Sequence, residues 1–206
     1  MGKKNNETTL ERWKRYHRIS GVGDITRRYF VMNAFDGALT MLGVIIGAYI
    51  AGILNPMPII SAAVAGSIAM GTSGISGAYM TEKAERTKKL KELEKAMLID
   101  LKNGLHHKSH RFAIIFAAII DGVSPSITAM LVVSPFFLVN LGFVAIKTAF
   151  FSSIIMTLII LLLLGIFLAK ISDGSMIKYG IQMLIVGSVT AFLCVLTSIL
   201  LGGNIS

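Results

Sequence analysis

Asp36, an aspartate within the apolar stretch NAFDGALT, is the residue of this sequence best suited to chemistry. Inside a membrane-spanning helix a carboxylate costs about 2.5–3.5 kcal/mol on insertion scales, so such residues usually face a helix bundle and mark ion or proton pathways. Helical spacing places Asn33 and Thr40 on the same face as Asp36. This pattern predicts a polar face that binds a cation. The alternative is a carboxylate near the membrane surface that meets only water or Arg28.

Met70 is a candidate second ligand, because a thioether beside a carboxylate favours a transition metal over Mg²⁺ or Ca²⁺. It lies in the next apolar segment, with Ser73, Gly74 and Gly77 along the same helical face. Small residues at this spacing let helices approach closely, so we expect the serine and the glycines to serve packing. The alternative for Met70 is an ordinary core or lipid-facing side chain.

Asp121 is a second carboxylate in apolar surroundings, within IIDGVSPSITAM. Ser124 and Thr128 share its helical face. Pro125 frees a backbone carbonyl that could coordinate a cation, because proline has no N–H to donate. We interpret Asp121 as a proton relay. The alternative, a carboxylate held by hydrogen bonds between packed helices, is equally compatible with the pattern.

The charged stretch after the second apolar segment offers further acidic side chains and a group of histidines. The acidic candidates for gathering a metal are Glu82, Glu85, Glu92 and Glu94. Lysines and arginines interleave with them, which is more typical of a solvated helix with ion pairs between successive turns. Among His106, His107 and His110, the first and last have the i, i+4 spacing that can hold a metal. A glycine just before them weakens that hypothesis.

Several classes of function find no support in the residues. There is no phosphate-binding glycine loop for ATP hydrolysis and no nucleophile–histidine arrangement, so we expect no enzyme. The single cysteine, Cys194, allows neither an intrachain disulfide nor a cysteine-based zinc site. The net charge of +9 flanks apolar segments instead of forming a basic domain, which argues against nucleic acid and for contact with membrane lipids.

The elements that must position these residues are membrane-spanning helices, which need about 20 mostly apolar residues each. The sequence predicts five of them, near residues 29–52, 57–80, 112–137, 141–169 and 179–202. The intervening segments alternate in charge. The stretches 1–28 and 82–111 hold eight and nine of the twenty Lys and Arg residues. Positive loops face the cytoplasm, so the fold class is an all-α membrane protein with its N-terminus inside and its C-terminus outside.

The same pattern divides the chain into segments. We expect these to be 1–28, a basic cytoplasmic or interfacial segment; 29–81, the first two spans; 82–111, a charged cytoplasmic helical segment; 112–202, the last three spans; and 203–206, an external tail. The basic start is either a short interfacial helix or a partly disordered tail. The charged segment should continue the second span as a helix, with Gly104 following its end.

Taken together, FDGALTMLGVIIGA, AGSIAMG and GAYMTEKAE resemble the vacuolar iron transporter family over about residues 25–202. The resemblance implies a homodimer that exports Fe²⁺ or Mn²⁺ from the cytosol in exchange for protons. The compact sequence shows no organelle-targeting segment, so we expect the protein in the cell membrane. No resident cofactor is implied, since the metal is the substrate. The family's aspartate falls on Asp36, and its methionine falls on Met70 or, in another register, near Gly74.

Two departures from the family pattern keep other functions open. Ala78 stands where many members have an acid, and the charged segment is shorter and more basic than in plant members. One alternative is a membrane scaffold whose basic helix, with an apolar stripe of leucines, binds a partner or anionic lipid. Another is a proton-coupled transporter of a different solute that uses Asp36 and Asp121 as relays.

Overall fold

The computed structural model describes residues 9–98 and 105–202, and all regular structure in these ranges is helical. Six helices follow one another: α1 (Thr9–Ser20), α2 (Val22–Ile50), α3 (Pro56–Met97), α4 (Leu105–Asn140), α5 (Ile146–Ile171) and α6 (Met176–Leu200). Within the described residues, the five helices α2–α6 are long and apolar enough to cross a membrane. The predicted number of spans is therefore confirmed.

The basic N-terminal segment contains a short helix, while the expected position of this helix at the membrane interface stays a prediction. α1 turns into α2 at Gly21, whose φ of 59° lies in the left-handed region that glycine adopts without strain. Trp13 of α1 packs edge-on against Phe112 of α4, with 5.4 Å between the ring centroids. This contact fixes α1 against the start of the apolar part of α4.

α3 is one continuous helix that combines the second span with the charged segment, as the sequence predicts. Asn55 caps its start by accepting a hydrogen bond of 2.9 Å from the backbone N–H of Met57, and Pro56 fits the first helical position. The helix ends at Met97, earlier than expected, because Leu98 adopts a left-handed backbone conformation. The predicted capping residue, Gly104, lies outside the described residues.

α4 is the central helix, and glycines bring its neighbours into backbone contact. A Cβ on Gly37 of α2 would lie 2.8 Å from the Cα of Pro125. A Cβ on Gly74 of α3 would lie 2.8 Å from the Cα of Gly122. No larger residue fits at either crossing, so α2 and α3 flank α4 closely. The packing role expected for Gly74 is thereby supported, whereas a Cβ on Gly77 would meet no atom within 4 Å.

The remaining two spans complete the bundle on the other side of α2. Phe150 of α5 packs edge-on against Phe136 of α4, with 5.0 Å between centroids, inside a core that includes Met41 and Ile45 of α2. α6 packs on α5 where a Cβ on Gly165 would lie 2.8 Å from the Cα of Gly180. α6 is otherwise largely exposed, as suits a helix facing lipid.

The observed helices begin and end differently from the predicted apolar segments. α2 begins at Val22 and α4 at Leu105, each seven residues before the predicted start of its span. α5 begins at Ile146, five residues later than predicted. Hydropathy marks where a helix meets lipid, whereas the backbone hydrogen-bond pattern continues through polar residues until a turn interrupts it.

Candidate metal site

A pocket of about 600 Å³ lies between α2, α3 and α4. It is lined by Tyr29, Asn33, Asp36, Ala69, Met70, Ser73, Gly74, Gly77, Ala78, Thr81, Asp121 and Pro125. Four of the residues predicted to bind metal or protons therefore lie around one pocket. Asn33 and Asp36 are on α2, Met70 is on α3 and Asp121 is on α4. Thr40, predicted to share their face, does not line this pocket.

Asp36 is the middle residue of α2, fourteen residues from each end of the helix, and its side chain is exposed in the single chain. At 1.5 Å per residue this is about 21 Å from either end. The alternative partner considered for it, Arg28, lies over the ring of Tyr29, with 5.7 Å from the guanidinium carbon to the centroid. The predicted span begins near residue 29, so Asp36 lies about 10 Å inside it, on the open side of the pocket.

Asp121 is tied to α2 by a hydrogen bond. The Asn33 side-chain amide donates to its Oδ1 at 2.6 Å and also donates to the backbone carbonyl of Tyr29 at 2.9 Å. The Asn33 amide oxygen remains as the acceptor end of that side chain. Of the two interpretations of Asp121, the hydrogen bond between packed helices is present, and the same carboxylate also faces the pocket.

The Asp–Gly pairs of α2 (Asp36–Gly37) and α4 (Asp121–Gly122) have the same structural role. In each pair the aspartate lines the pocket, and the following glycine contacts a neighbouring helix: Gly37 contacts Pro125, and Gly122 contacts α3 at Gly71 and Ile75. The close approach that the glycine permits is what brings the preceding carboxylate to a shared cavity. Pro125 leaves the carbonyl of Asp121 without its usual helical donor, and that carbonyl lies against Gly74.

The donor set suits a divalent transition metal. Two carboxylates, an amide oxygen and a thioether are available from Asp36, Asp121, Asn33 and Met70. Carboxylates neutralise the charge of the ion, and the soft sulfur selects against Mg²⁺ and Ca²⁺. Within the described part of the chain, no three His, Cys, Asp or Glu side chains form a metal-binding group, so the methionine and the amide are needed to complete a site.

A buried polar network closes one end of the pocket. The hydroxyl of Tyr29 donates to Glu82 at 3.1 Å, and Arg86 donates to the other oxygen of Glu82 at 2.7 Å. Arg86 also donates to the backbone carbonyl of Ser20 at 3.3 Å, which links α3 to the end of α1. Glu82 and Arg86 are only 3% and 6% exposed. The charge of Glu82 is therefore balanced within the protein.

The other acidic candidates of α3 lie farther along the helix, among basic side chains. Glu85 approaches Lys89 at 4.0 Å, with both side chains more than half exposed. Glu92 lines a shallow surface cavity of α3 together with Lys88, Lys91 and Lys95. This arrangement matches a solvated helix with ion pairs. Metal gathering by Glu82, Glu85, Glu92 and Glu94 stays a prediction.

The histidine group falls partly outside the described residues. The helix α4 already includes residue 106, so His106 and His110 lie one turn apart on its backbone, despite the glycine that precedes them. The side chains of His106 and His107 are not among those described. Their role as ligands stays a prediction.

Sequence reasoning missed Tyr29 and Arg86. The hydropathy pattern uses Tyr29 only as the start of a span, although Tyr29, Asn33 and Asp36 stand at i, i+4 and i+7 and so share one face. That spacing could have identified Tyr29. The pairing of Arg86 with Glu82 was also visible as an i, i+4 pair, but its burial was not.

The fold and this pocket together define a multi-pass membrane protein with a polar site inside its spans. The profile of the VIT family, the vacuolar iron transporters, matches residues 87–198. "Uncharacterized protein MJ0645" of Methanocaldococcus jannaschii is 40% identical over 177 residues, covering 84% of this chain and 88% of that protein. The chain belongs to the VIT family, a family of membrane transporters.

The family match begins after the residues of the pocket that lie on α2 and after Met70. It therefore establishes the class of protein without assigning roles to Asp36 or Met70. Those roles depend on the geometry of the pocket.

Proposed function

We propose that this protein exports Fe²⁺ or Mn²⁺ from the cytosol across the cell membrane, in exchange for protons. One observation supports this most directly: Asp36, Met70, Asn33 and Asp121 line one intramembrane pocket. Membership in a transporter family adds support for movement of an ion over a structural role.

The proposed direction of transport depends on the orientation of the chain. The basic residues of α1, of the charged end of α3 and of the start of α4 cluster at one end of the spans. Positive charge on this scale is retained on the cytoplasmic side, so the pocket end closed by Tyr29 and Glu82 faces the cytosol.

A homodimer is part of the proposal, because the pocket is open on one side. A carboxylate such as Asp36 exposed inside the span would otherwise face hydrocarbon at a cost of about 2.5–3.5 kcal/mol. A second copy of the chain packed on the α2–α3 face would cover that carboxylate. It would also enclose the metal between two symmetry-related pockets.

In this proposal Asp36 and Asp121 have different roles. Among the described residues, no side chain forms a hydrogen bond or an ion pair with Asp36. Its carboxylate faces the pocket and serves as the principal metal ligand. Asp121 accepts from Asn33 and serves as the proton relay, because loss of a proton there changes its bond to α2. Proton exchange and metal binding would then be coupled through Asn33.

The decisive experiment measures Fe²⁺ and Mn²⁺ uptake into proteoliposomes by the parent chain and by Asp36→Asn. We expect the variant to lose transport, because the amide carries no charge to balance the ion. Asp24→Asn is the matched control, since Asp24 is an exposed carboxylate on the same helix, paired with Arg27 and outside the pocket.

Equal transport by Asp36→Asn and the parent would contradict the proposal. Equilibrium binding separates a transporter from a scaffold, since a scaffold would show no Asp36-dependent affinity for either metal.

A further inference from the structure

A second cavity, of about 340 Å³, lies between the charged end of α3 and the start of α4, and we call it the basic groove. Nine side chains line it; three are Lys or Arg, one is His, and none is acidic. It is separate from the candidate metal pocket, the cavity that contains Asp36, and the two share no lining residue. A cavity with this charge is built for an anion.

The groove carries uncompensated positive charge. Arg86, at its base, is balanced by Glu82. Among the residues that the structure describes, no acidic side chain forms an ion pair with Lys83 or Arg111. Both of these side chains are exposed, and Lys83 lies 5.6 Å from the centroid of the Tyr79 ring, on the groove wall.

The groove lies at the level of the membrane surface. α3 and α4 cross at Gly74 and Gly122; from there Lys83 is nine residues along α3, and Arg111 is eleven residues back along α4. These separations correspond to about 14 and 16 Å toward the same end of the bundle. The predicted apolar spans end near residue 80 on α3 and begin near residue 112 on α4, so the two cations lie just outside them, at the depth of lipid headgroups.

An apolar track continues from the groove toward the membrane centre. Ile114 and Ile115 line its floor, and Ile115 and Ile119 of α4 are 46% and 47% exposed. Ile75 of α3, 43% exposed, lies against Gly122 on the same side. Positive charge above and exposed isoleucines below match the two parts of an anionic phospholipid.

We infer that the basic groove binds the phosphate headgroup of an anionic phospholipid. Lys83 and Arg111 bind the phosphate, and the exposed isoleucines contact an acyl chain. Basic pockets between spanning helices on the cytoplasmic side bind lipid headgroups in this way. The bound lipid would brace α3 against α4 next to Arg86, which holds Glu82 at the end of the metal pocket.

The test uses the full chain in detergent, with native mass spectrometry of bound phosphatidylglycerol and phosphatidylcholine of matched chains. The parent should retain phosphatidylglycerol preferentially. Lys83→Gln/Arg111→Gln should weaken that retention about 30-fold, since each basic residue near a lipid surface contributes about fivefold. Lys147→Gln/Lys178→Gln is the control with the same charge change at exposed lysines of α5 and α6, and it should bind as the parent does.

Two further arms make the outcome decisive. Lys83→Arg/Arg111→Lys keeps both charges and should keep the lipid, and soluble glycerol phosphate should not displace it. Unchanged retention by Lys83→Gln/Arg111→Gln would overturn the inference. Full displacement by glycerol phosphate would do so as well, because the groove would then be a site for free phosphate. Neither reading uses transport, so failure here is distinguishable from failure of the proposed function.

Discussion

At the scale of single residues, the two carboxylates of the pocket differ in their surroundings. Asp121 is half-buried and accepts a hydrogen bond of 2.6 Å from Asn33, whereas Asp36 is exposed on the open side. Different environments suit two neighbouring carboxylates to different roles. The chemistry of this site therefore depends on which position carries each carboxylate, as well as on their number.

The need for a second carboxylate in the pocket can be tested at Asp121 and at Ala78, which lines the same pocket on α3. Asp121→Ala should slow metal uptake by proteoliposomes about tenfold or more, equivalent to ~1.4 kcal/mol per factor of ten. Adding Ala78→Asp returns a carboxylate to the pocket and should restore part of the rate. Ala84→Asp, at an exposed position of α3 outside the pocket, is the control and should restore none.

Met70 tests the nature of the transported solute. Met70→Leu keeps the volume of the side chain but removes the thioether, so competition assays should show weaker discrimination of Mn²⁺ or Fe²⁺ against Ca²⁺. Met80→Leu, a 70% exposed methionine of the same helix, should leave selectivity unchanged. Intact selectivity in Met70→Leu would favour the alternative of a proton-coupled transporter for another solute.

At the scale of helices, the network of Tyr29, Glu82 and Arg86 joins α1, α2 and α3 at one end of the pocket. Its ion pair is almost fully buried, with side chains 4% and 7% exposed. A buried pair contributes little net stability but becomes costly when one partner is removed. Its value lies in fixing how the three helices meet.

Arg86→Ala should destabilise the protein by about 3–5 kcal/mol, because it leaves a buried carboxylate without its counter-charge. The measurement is the midpoint of thermal unfolding in detergent. Lys89→Ala, which breaks the exposed pair with Glu85, is the matched control and should cost less than ~1 kcal/mol. Glu82→Met/Arg86→Met should recover most of the lost stability, and a loss as large as that of Arg86→Ala alone would contradict this account.

At the scale of the whole molecule, the sequence predicted the spans but not their arrangement. The five apolar segments and the continuity of α3 follow from composition and helix propensity, which are local properties. The contact of Tyr29 with Glu82 joins residues 53 positions apart. Periodicity shows which face of a helix is polar but carries no information about the helix it will meet. The central place of α4, and hence the meeting of Asp121 with Asn33, required the structure.

The dimer is the prediction that belongs to this scale. With Cys194 replaced by Ser, a cysteine at the exposed, pocket-lining position of Ser73 should form a disulfide-linked dimer on mild oxidation in membranes. Ile185→Cys, 56% exposed on α6, is the control and should not cross-link. The opposite result would place the interface on α6 and leave Asp36 uncovered.

The length of α3 has a mechanical consequence. The helix has 42 residues and crosses α4 at Gly74, near its middle. The helix is about 63 Å long, and this crossing lies about one turn from Met70. If the helix tilted by about 10° about this crossing, its charged end would move by about 6 Å and Met70 by about 1 Å, so a large displacement at the charged end would become a small change in the position of Met70.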